Sequence, residues 1–409
     1  MVLPRVRRLV KWGAASFAGA QAVTLAALAV VDRRRKRGRR DRPFPTAPPT
    51  AVGVGDGEVV VYTKGRDLYE DMIASIDGAS DRIYFETYIW KGDRTGRLVR
   101  DALVAAAARG VDVYVSFDVF GNLVVKPSFF RLPGVYVMPH FPWTGMKGAI
   151  VWRAPGLNHR KLLVVDDDCA YVGGYNIGSL YATRWRDTHA RVTGSAALDL
   201  ANAFVDYWNQ ARRPHMPELT SPGGRSWDAP VKVTRNVPSI GVYPIRYSYL
   251  EAIDRASERI WMTHAYLIPD DVLTLALVEA AERGVDVRII VPAESNHIVA
   301  DWLSRGYYQV LLGNGIRLFR YQGAMVHAKT ATIDGRWSTI GTANIDRLSL
   351  MGNYEVNIEV VDADLAAQLE QVFSMDAGNC VELTLAEWEA RPVAAKISEW
   401  VLAPLRPLL

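Results

Sequence analysis

The sequence contains little cysteine, and its body has no excess of positive charge. Two cysteines among 409 residues, Cys169 and Cys380, give no disulfide framework, and no cysteine cluster suggests a zinc site. The first 45 residues hold 12 of the 48 lysines and arginines and two of the 44 acidic residues. The remainder, with 36 basic and 42 acidic residues, therefore has a net charge of −6. A nucleic-acid enzyme more often has a basic body, so we expect no nucleic-acid partner.

A long uncharged run lies near the N-terminus. Residues 12–31 contain no charged side chain and are long enough to span a bilayer. Four basic residues precede this run and eight follow it, and the more basic flank of a membrane segment stays in the cytoplasm. We therefore expect a single N-terminal anchor in the cell membrane and a cytoplasmic catalytic body. A cleaved signal peptide is the alternative, since residues 27–29 resemble a cleavage site.

One stretch of the chain is repeated. Residues 158–187 and 326–355 each contain the pattern His-x-Lys-x4-Asp, with an asparagine 17 residues and an acidic residue 28 residues after the histidine. Two copies in register, sharing the chemically useful residues, are very hard to obtain by chance. The paired positions are His159 and His327, Lys161 and Lys329, Asp166 and Asp334, Asn176 and Asn344, and Asp187 and Glu355.

The repeated residues suit the chemistry of a phosphodiester. Residues two apart share a face of a strand, so His159 and Lys161 point the same way, and a following hairpin could bring Asn176 beside Lys161. Two such halves supply two imidazoles and four donors, which can hold one small anion and stabilise a five-coordinate transition state. One histidine can attack phosphorus while the other protonates the leaving oxygen. Asp187 and Glu355 are candidates to bond the far ring nitrogen of the histidine in their own half.

Several other polar residues are expected to have structural roles. Asp166 and Asp334 lie an odd number of residues after the lysine, on the opposite face of a strand, so we expect turn residues. Glu86 could lie at the rim of the site or at a solvated strand end, and the same holds for Tyr266. The histidines without a partner in the repeat are expected to be structural: His140, His189, His215, His264 and His297.

A long connection, residues 119–152, follows a predicted strand of the first half. It contains the aromatic residues Phe129, Phe130, Phe141 and Trp143. It could dip into a membrane interface or line an acyl groove. A partly buried strand and loop is the alternative.

At the repeated motifs the chain resembles the phospholipase D superfamily, and within it the bacterial cardiolipin synthase branch. The similar segments are NHRKLLVVD, YVGGYNIG and WRDTHARV in the first copy, and HAKTATID, GTANIDRLS and NYEVNIEV in the second. The resemblance extends from about residue 62 to the C-terminus. It implies that one histidine, with His159 favoured over His327, becomes a phosphohistidine, and that the lysines and asparagines of both motifs bind the phosphate. No metal or cofactor is expected, because these side chains already supply the positive charge.

The similarity between the halves predicts an α/β fold with two phospholipase D-like domains. In each half a predicted helix and strand precede a second helix and the sequence RGVDV, at residues 109–113 and 283–287. This alternation is typical of a mixed sheet flanked by helices, and a pseudo-twofold arrangement would place both histidine motifs at the interface. We expect an anchor, basic cluster and proline-rich linker in residues 1–57, a first domain in 58–220 and a second in 231–409.

The resemblance implies a membrane-bound phosphatidyltransferase that converts two phosphatidylglycerol molecules into cardiolipin and glycerol. The alternative is a hydrolase of the phospholipase D type, with water as acceptor and a phospholipid, or less readily a nucleic acid, as substrate. The anchor and the acidic body argue against a nuclease. The sequence leaves open the oligomeric state and the choice between lipid and water as acceptor.

Overall fold

The computed structural model describes the backbone of residues 2–38, 42–142, 156–223 and 229–408. It describes the side chains of the same residues except 2–17, 36, 38, 407 and 408. Trp143 therefore lies outside the described residues, as do residues 224–228, which are part of the connection between the two halves.

The first half alternates strands and helices. Its elements are α1 (Val2–Gly38), β1 (Ala51–Val54), β2 (Gly57–Tyr62), α2 (Gly65–Gly78), β3 (Arg82–Thr87), α3 (Arg94–Ala108), β4 (Asp112–Asp118), β5 (Tyr136–His140), β6 (Leu162–Val165), β7 (Cys169–Gly173), α4 (Ser179–Thr183), β8 (Trp185–Arg186), β9 (His189–Thr193) and α5 (Ser195–Ala211), with short 3-10 helices at Phe120–Asn122 and Pro127–Phe130.

The second half has a similar order, with the additional helix α8 between β13 and β14 and further helices at the C-terminus. Its elements are β10 (Val231–Asn236), α6 (Pro244–Arg255), β11 (Arg259–His264), β12 (Leu267–Ile268), α7 (Asp271–Glu282), β13 (Asp286–Pro292), α8 (Ile298–Gly313), β14 (Arg317–Tyr321), β15 (Met325–Val326), β16 (Lys329–Ile333), β17 (Trp337–Gly341), β18 (Ile345–Asp346), α9 (Arg347–Met351), β19 (Glu355–Val361), α10 (Ala363–Ala377), β20 (Cys380–Leu383), α11 (Leu385–Glu389) and α12 (Val393–Leu402), with 3-10 helices at Pro238–Ile240 and Ala403–Leu408.

Each half is built on an eight-stranded mixed sheet. The strand orders are β1-β2-β9-β7-β6-β3-β4-β5 and β10-β19-β17-β16-β11-β13-β14-β20. In the first sheet, β3 pairs in parallel with β4, the next strand of a βαβ unit, and antiparallel with β6 of the histidine motif. In the second sheet, β11 pairs in the same way with β13 and with β16. The prediction of an α/β fold with two similar halves, each a mixed sheet flanked by helices, is confirmed.

The repeated sequence RGVDV has a specific conformational role. Gly110 and Gly284 follow helices α3 and α7 with φ angles of 97° and 92°. Glycine adopts this region at little cost, so the chain can leave the helix and turn at once into the next strand. The two halves therefore share the same helix-to-strand turn.

Side chains of both halves form one hydrophobic core between the sheets. Phe204 and Trp208 of α5 belong to the same buried cluster as Val356, Ile358 and Leu369 of β19 and α10. Burial of these side chains removes apolar surface from water only when the two halves stay together. The shared core thus fixes the geometry of a site lying between the halves.

The C-terminal part of α1 packs on the second half. Leu28 belongs to a cluster with Leu303 of α8 and Leu402 of α12. Farther along the helix, a guanidinium nitrogen of Arg35 lies 3.2 Å from an oxygen of Asp301. Within the described part of the chain, no helix combines the length and the apolar run that crossing a membrane requires. The side chains of residues 12–17, at the start of the predicted membrane segment, are outside that part.

Candidate active site

Two short parallel pairings cross between the halves and bring the motifs together. In one, β15 of the second half pairs with β8 of the first, and the amide of His327 donates to the carbonyl of Arg186 at 2.7 Å. In the other, Asn158 bridges to Tyr354, whose carbonyl accepts from the amide of His159 at 3.0 Å. The backbone of each histidine therefore lies beside the residue that directly precedes the acidic residue of the opposite half.

Each imidazole is consequently held by the acid of the opposite half. Nδ1 of His159 lies 3.0 Å from both carboxylate oxygens of Glu355, and Nδ1 of His327 lies 2.6 Å from Oδ2 of Asp187. The expectation that each acid supports the histidine of its own half is wrong, because the crossed backbone pairing exchanges the acids. A ring N–H at Nδ1 that donates to a carboxylate leaves Nε2 of each histidine available for chemistry.

The two halves hold their acids differently. A Cβ atom built on Gly174 would lie 2.0 Å from Oδ1 of Asp187, so this position must lack a side chain for the carboxylate to approach. The corresponding residue of the second half, Thr342, instead donates its hydroxyl to Glu355. The shorter acid is thus accommodated by a glycine, and the longer acid is fixed by a hydroxyl group.

Both histidines line one cavity of about 340 Å³ between the halves. Asn176 and Asn344 reach the same cavity. The rest of the lining is largely apolar or aromatic and includes Tyr88, Ile89, Phe120, Leu157, Trp185, Tyr266, Ile268, Val299, Ala300 and Leu348. A cavity with a few convergent polar groups and apolar walls suits a ligand with a charged centre and apolar arms.

The motif lysines are buried directly behind the histidines. Lys161 is 2% exposed and Lys329 is 0% exposed, and each Nζ donates to the backbone carbonyl of the histidine two residues earlier. Oδ1 of Asn176 accepts from the amide of Ile89 at 3.1 Å, which leaves its Nδ2 as the donor able to serve a ligand. A bound anion would give the two ammonium groups a charged partner in place of a carbonyl.

Burial shifts the pKa values of the charged groups around the cavity. It lowers the pKa of Lys161 to about 7 and that of Lys329 to about 8, and it raises the pKa of Glu355 to about 8 and that of Asp187 to about 6. Burial and the neighbouring lysine charges hold the pKa of both histidines well below its usual value. A monoanionic phosphodiester would offset the lysine charges and favour the protonated lysines.

Asp166 and Asp334 lie at the hairpin turns and fasten them to the sheets. Their φ angles are 52° and 51°, and each carboxylate accepts from three successive backbone amides and one serine hydroxyl at the start of β3 or β11. Burial opposes ionisation, but these donors outweigh it and lower the pKa of both carboxyls. Both side chains therefore stabilise the hairpin turns and have a structural role.

A buried polar network that was not predicted adjoins His159. Glu86 is 1% exposed and accepts from the side chains of Asn158 and Arg160, the neighbours of His159 in sequence. The guanidinium of Arg160 also lies 4.4 Å from the ring centroid of Tyr207. Of the two alternatives for Glu86, the solvated strand end is wrong, because the side chain is buried beside the histidine motif. A charged arginine inside the apolar run NHRKLLVVD was the available signal, since a buried charge requires a partner.

The second half lacks this network. The positions that correspond to Glu86, Asn158 and Arg160 by the repeat are Thr263, Val326 and Ala328. The pseudo-symmetry of the two motifs is therefore broken directly behind the histidines. Charged hydrogen bonds hold the side chains on either side of His159. The residues flanking His327 are buried and apolar, and the amide of His327 donates to the carbonyl of Arg186, whose side chain pairs with Asp376.

The remaining histidines differ in their surroundings. His297 lines the cavity together with His159 and His327, although its sequence context gave no sign of this. His140 has a structural setting, with Nδ1 2.7 Å from the hydroxyl of Tyr207 and Nε2 2.8 Å from the carbonyl of Gly156. In the described part of the chain, no group of three or more histidine, cysteine or acidic residues is arranged to hold a metal ion.

Two similar sheet domains with one histidine motif each, meeting at a shared cavity, define a phospholipase D-like protein. The chain has the same fold as the phosphatidylserine synthase of Haemophilus influenzae Rd KW20, with a TM-score of 0.65 at 16% identity over 88% of this chain and 95% of that one. A polyphosphate kinase from Porphyromonas gingivalis is similar at a TM-score of 0.55 and 15% identity, over 86% of this chain and 53% of that one.

Sequence comparison identifies the family. The family model described as cardiolipin synthase, PLD-like domain, matches residues 72–208 and 249–377. The major cardiolipin synthase ClsA of Bacillus subtilis (strain 168) is 34% identical over 88% of this chain and 77% of its own length. A cardiolipin synthase of Staphylococcus aureus (strain Mu50 / ATCC 700699) is 33% identical over 87% of this chain and 74% of its own length. The chain belongs to the cardiolipin synthase family of phospholipase D-like proteins, as the repeated motifs predicted.

Proposed function

We propose that this protein makes cardiolipin and glycerol from two molecules of phosphatidylglycerol. The observation that carries the proposal is the single cavity in which an imidazole from each half meets apolar walls. Such walls suit the acyl portions of a lipid, whereas the acidic body offers little to a nucleic acid. The sequence similarity to named cardiolipin synthases supports the same substrate class.

In the proposed first step, Nε2 of His159 attacks the phosphorus of one phosphatidylglycerol. A P–N bond forms and the bond from phosphorus to the glycerol oxygen breaks. His327 enters this step as the imidazolium, which the Asp187 carboxylate and the bound anionic phosphodiester favour, and it gives its Nε2 proton to the glycerol oxygen as glycerol leaves. Glu355 holds His159 in the tautomer with Nε2 unprotonated, and the lowered pKa of His159 keeps this nitrogen nucleophilic. The motif lysines and asparagines stabilise the charge on the equatorial oxygens.

In the second step, a terminal glycerol hydroxyl of another phosphatidylglycerol gives its proton to Nε2 of His327. Its oxygen attacks phosphorus, the P–N bond breaks, and cardiolipin and neutral His159 result. The proposal assigns the nucleophile from the family resemblance. The buried network around Asn158 and Arg160 supports it, because a nucleophile gains from a fixed backbone.

We further propose that the enzyme works at a bacterial cell membrane, with residues 12–31 as its anchor and the catalytic body in the cytoplasm. In this proposal the segment leaves the bilayer near Leu28, where helix α1 packs on the second half. The support is the basic asymmetry around that segment and the kinship with cardiolipin synthases. Protease added outside intact cells should leave the body intact. A mature chain that starts near residue 30 and is released from the membrane would favour the signal-peptide alternative.

The decisive experiment uses the purified full-length protein and phosphatidylglycerol labelled in the phosphate, in mixed micelles. Chromatography should resolve labelled cardiolipin and, with glycerol-labelled substrate, one free glycerol for each cardiolipin. Phosphatidic acid as the main product would show that water is the acceptor. No turnover of any phospholipid by a protein that retains its fold would reject the proposed function.

A further inference from the structure

An exposed apolar loop stands beside the mouth of the cavity. In residues 119–125, Phe120 is 56% exposed, Leu123 69% and Val124 83%. Phe120 also lines the cavity, so the loop and the cavity form one continuous apolar surface. Isolated exposed apolar side chains are common, but three within five residues at the edge of a binding cavity indicate a contact surface.

The loop is held rigidly in this exposed position. Asn122 is 4% exposed; its Oδ1 accepts from the amide of Trp90 at 2.8 Å, and its Nδ2 donates to the carbonyls of Tyr88 and Asp118 at 2.8 and 2.7 Å. A Cβ atom on Gly121 would lie 2.5 Å from the carbonyl oxygen of Tyr88, so the loop approaches the adjacent segment closely. The exposure of Leu123 and Val124 thus results from a specified backbone conformation.

The same contacts connect the loop to the histidine motif. Oδ1 of Asp118 accepts from the amide of Gly121 at 3.0 Å, and Oδ2 accepts from the amide of Asn158 at 2.9 Å. One buried carboxylate therefore joins the loop to the residue before His159. A ligand or surface that contacts the loop would be positioned directly against the reacting centre.

We propose that residues 119–125 insert into the headgroup–acyl boundary of an anionic phospholipid bilayer and hold the cavity mouth against the lipid. This deepens the proposed function and rests on it, because the substrate is itself a bilayer lipid. The adjoining exposed residues Lys126 and Arg131 are basic, as expected at a surface that meets anionic headgroups. Apolar side chains at the boundary with basic residues beside them form the usual interfacial pattern.

The first test locates the loop directly. Leu123→Cys in the full-length protein, labelled with an environment-sensitive nitrobenzoxadiazole dye, is mixed with vesicles of phosphatidylglycerol and phosphatidylcholine. Val361→Cys is the matched control, since Val361 is also 69% exposed and lies at the end of β19 remote from Glu355. Unsubstituted protein measures background labelling of Cys169 and Cys380. Dye at position 123 should shift to shorter wavelength and be quenched by spin-labelled lipid, whereas dye at 361 should do neither. Equal spectra at both positions would overturn the proposal.

The second test compares activities. The activity of the Leu123→Ser/Val124→Ser variant on phosphatidylglycerol vesicles should fall about tenfold or more, because the variant buries less apolar surface in the bilayer. Turnover of soluble bis(p-nitrophenyl) phosphate should stay unchanged, because neither side chain lines the cavity. Val361→Ser should match the parent protein on both substrates. Unchanged vesicle activity in the double variant would refute docking by the loop.

The outcomes separate this proposal from the proposed function. Dye at position 123 that enters the bilayer, without any cardiolipin product, would sustain docking and reject the synthase. Cardiolipin synthesis with the dye remaining in water would support the synthase and reject docking by the loop. A second copy of the chain is the competing occupant, and a dimer in lipid-free solution that the Leu123→Ser/Val124→Ser variant abolishes would assign the loop to that contact and overturn membrane docking.

Discussion

The crossed pairing of acids and histidines predicts that Glu355→Gln and Asp187→Asn slow different chemical steps. With a nitrophenyl phosphodiester the leaving group needs no proton, so the burst of nitrophenolate reports attack by His159 alone. Glu355→Gln should slow this burst, because Glu355 is the carboxylate 3.0 Å from Nδ1 of His159. Asp187→Asn should leave the burst nearly unchanged and slow turnover of phosphatidylglycerol, whose departing glycerol needs the proton of His327.

The structure sets the size of the effect. Glutamine is nearly isosteric with Glu355 and can keep the hydrogen bond from Thr342. At a pH above the Glu355 pKa of about 8, where this carboxyl is ionised, the main loss is therefore one charged hydrogen bond to His159. Such bonds contribute about 1.5–3 kcal/mol, and about 1.4 kcal/mol corresponds to a tenfold change in rate. The burst rate of Glu355→Gln should therefore fall about ten- to a hundredfold. Stopped-flow absorbance measures the burst. Phosphopeptide mapping of enzyme quenched in alkaline detergent identifies the labelled histidine, because the P–N bond of phosphohistidine is labile in acid and stable in alkali.

Two outcomes would correct this reasoning. If the label maps to His159 while Asp187→Asn, and not Glu355→Gln, slows the burst, support across the two halves is refuted. If the label maps to His327 with that same pattern, the crossed pairing stands and the roles of the two histidines are exchanged. His159→Ala should form no phosphoenzyme under any condition, and it serves as the blank.

Further predictions concern the phosphate site, pH, stability and metals. Lys161→Ala and Lys329→Ala should each lower turnover about 10²- to 10³-fold with the circular dichroism spectrum retained; near-normal turnover would exclude these lysines from the site. Burial lowers the pKa of Lys161 to about 7 and of Lys329 to about 8, so both lose protons as pH rises, and KM for a soluble phosphodiester should increase between about pH 7 and about pH 9; a flat KM would contradict this. Asp334→Ala should lower the free energy of unfolding in urea by about 1–2 kcal/mol at neutral pH without changing kcat. Because the pKa of Asp334 is lowered on folding, this difference should shrink as pH falls below about 4. Exhaustive chelation should leave turnover of the soluble phosphodiester intact, and loss that one divalent ion alone restores would indicate a required metal.

The amino-acid sequence determined the features that depend on local spacing. The duplicated His-x-Lys-x4-Asp pattern indicated the family, and the alternation of strands and helices predicted two α/β halves, because both signals lie within short segments. The odd offset of Asp166 from Lys161 also predicted a place away from the histidines, since side chains alternate along a strand. Catalytic roles for the paired residues remain predictions that the experiments above address.

The tertiary structure decided which partners meet across long separations. Glu355 reaches His159 over 196 residues and Asp187 reaches His327 over 140, because β15 pairs with β8 and residue 158 with residue 354. Spacing within one motif contains no information about such pairing, so the sequence predicts the acid of the same half as the partner of each histidine. The buried contact of Glu86 with Arg160, the place of His297 in the cavity and the exposed loop beside it likewise depend on how separate elements pack. Local periodicity determines which face of a strand or helix a residue occupies, but only the packing of the elements determines which residues contact that face.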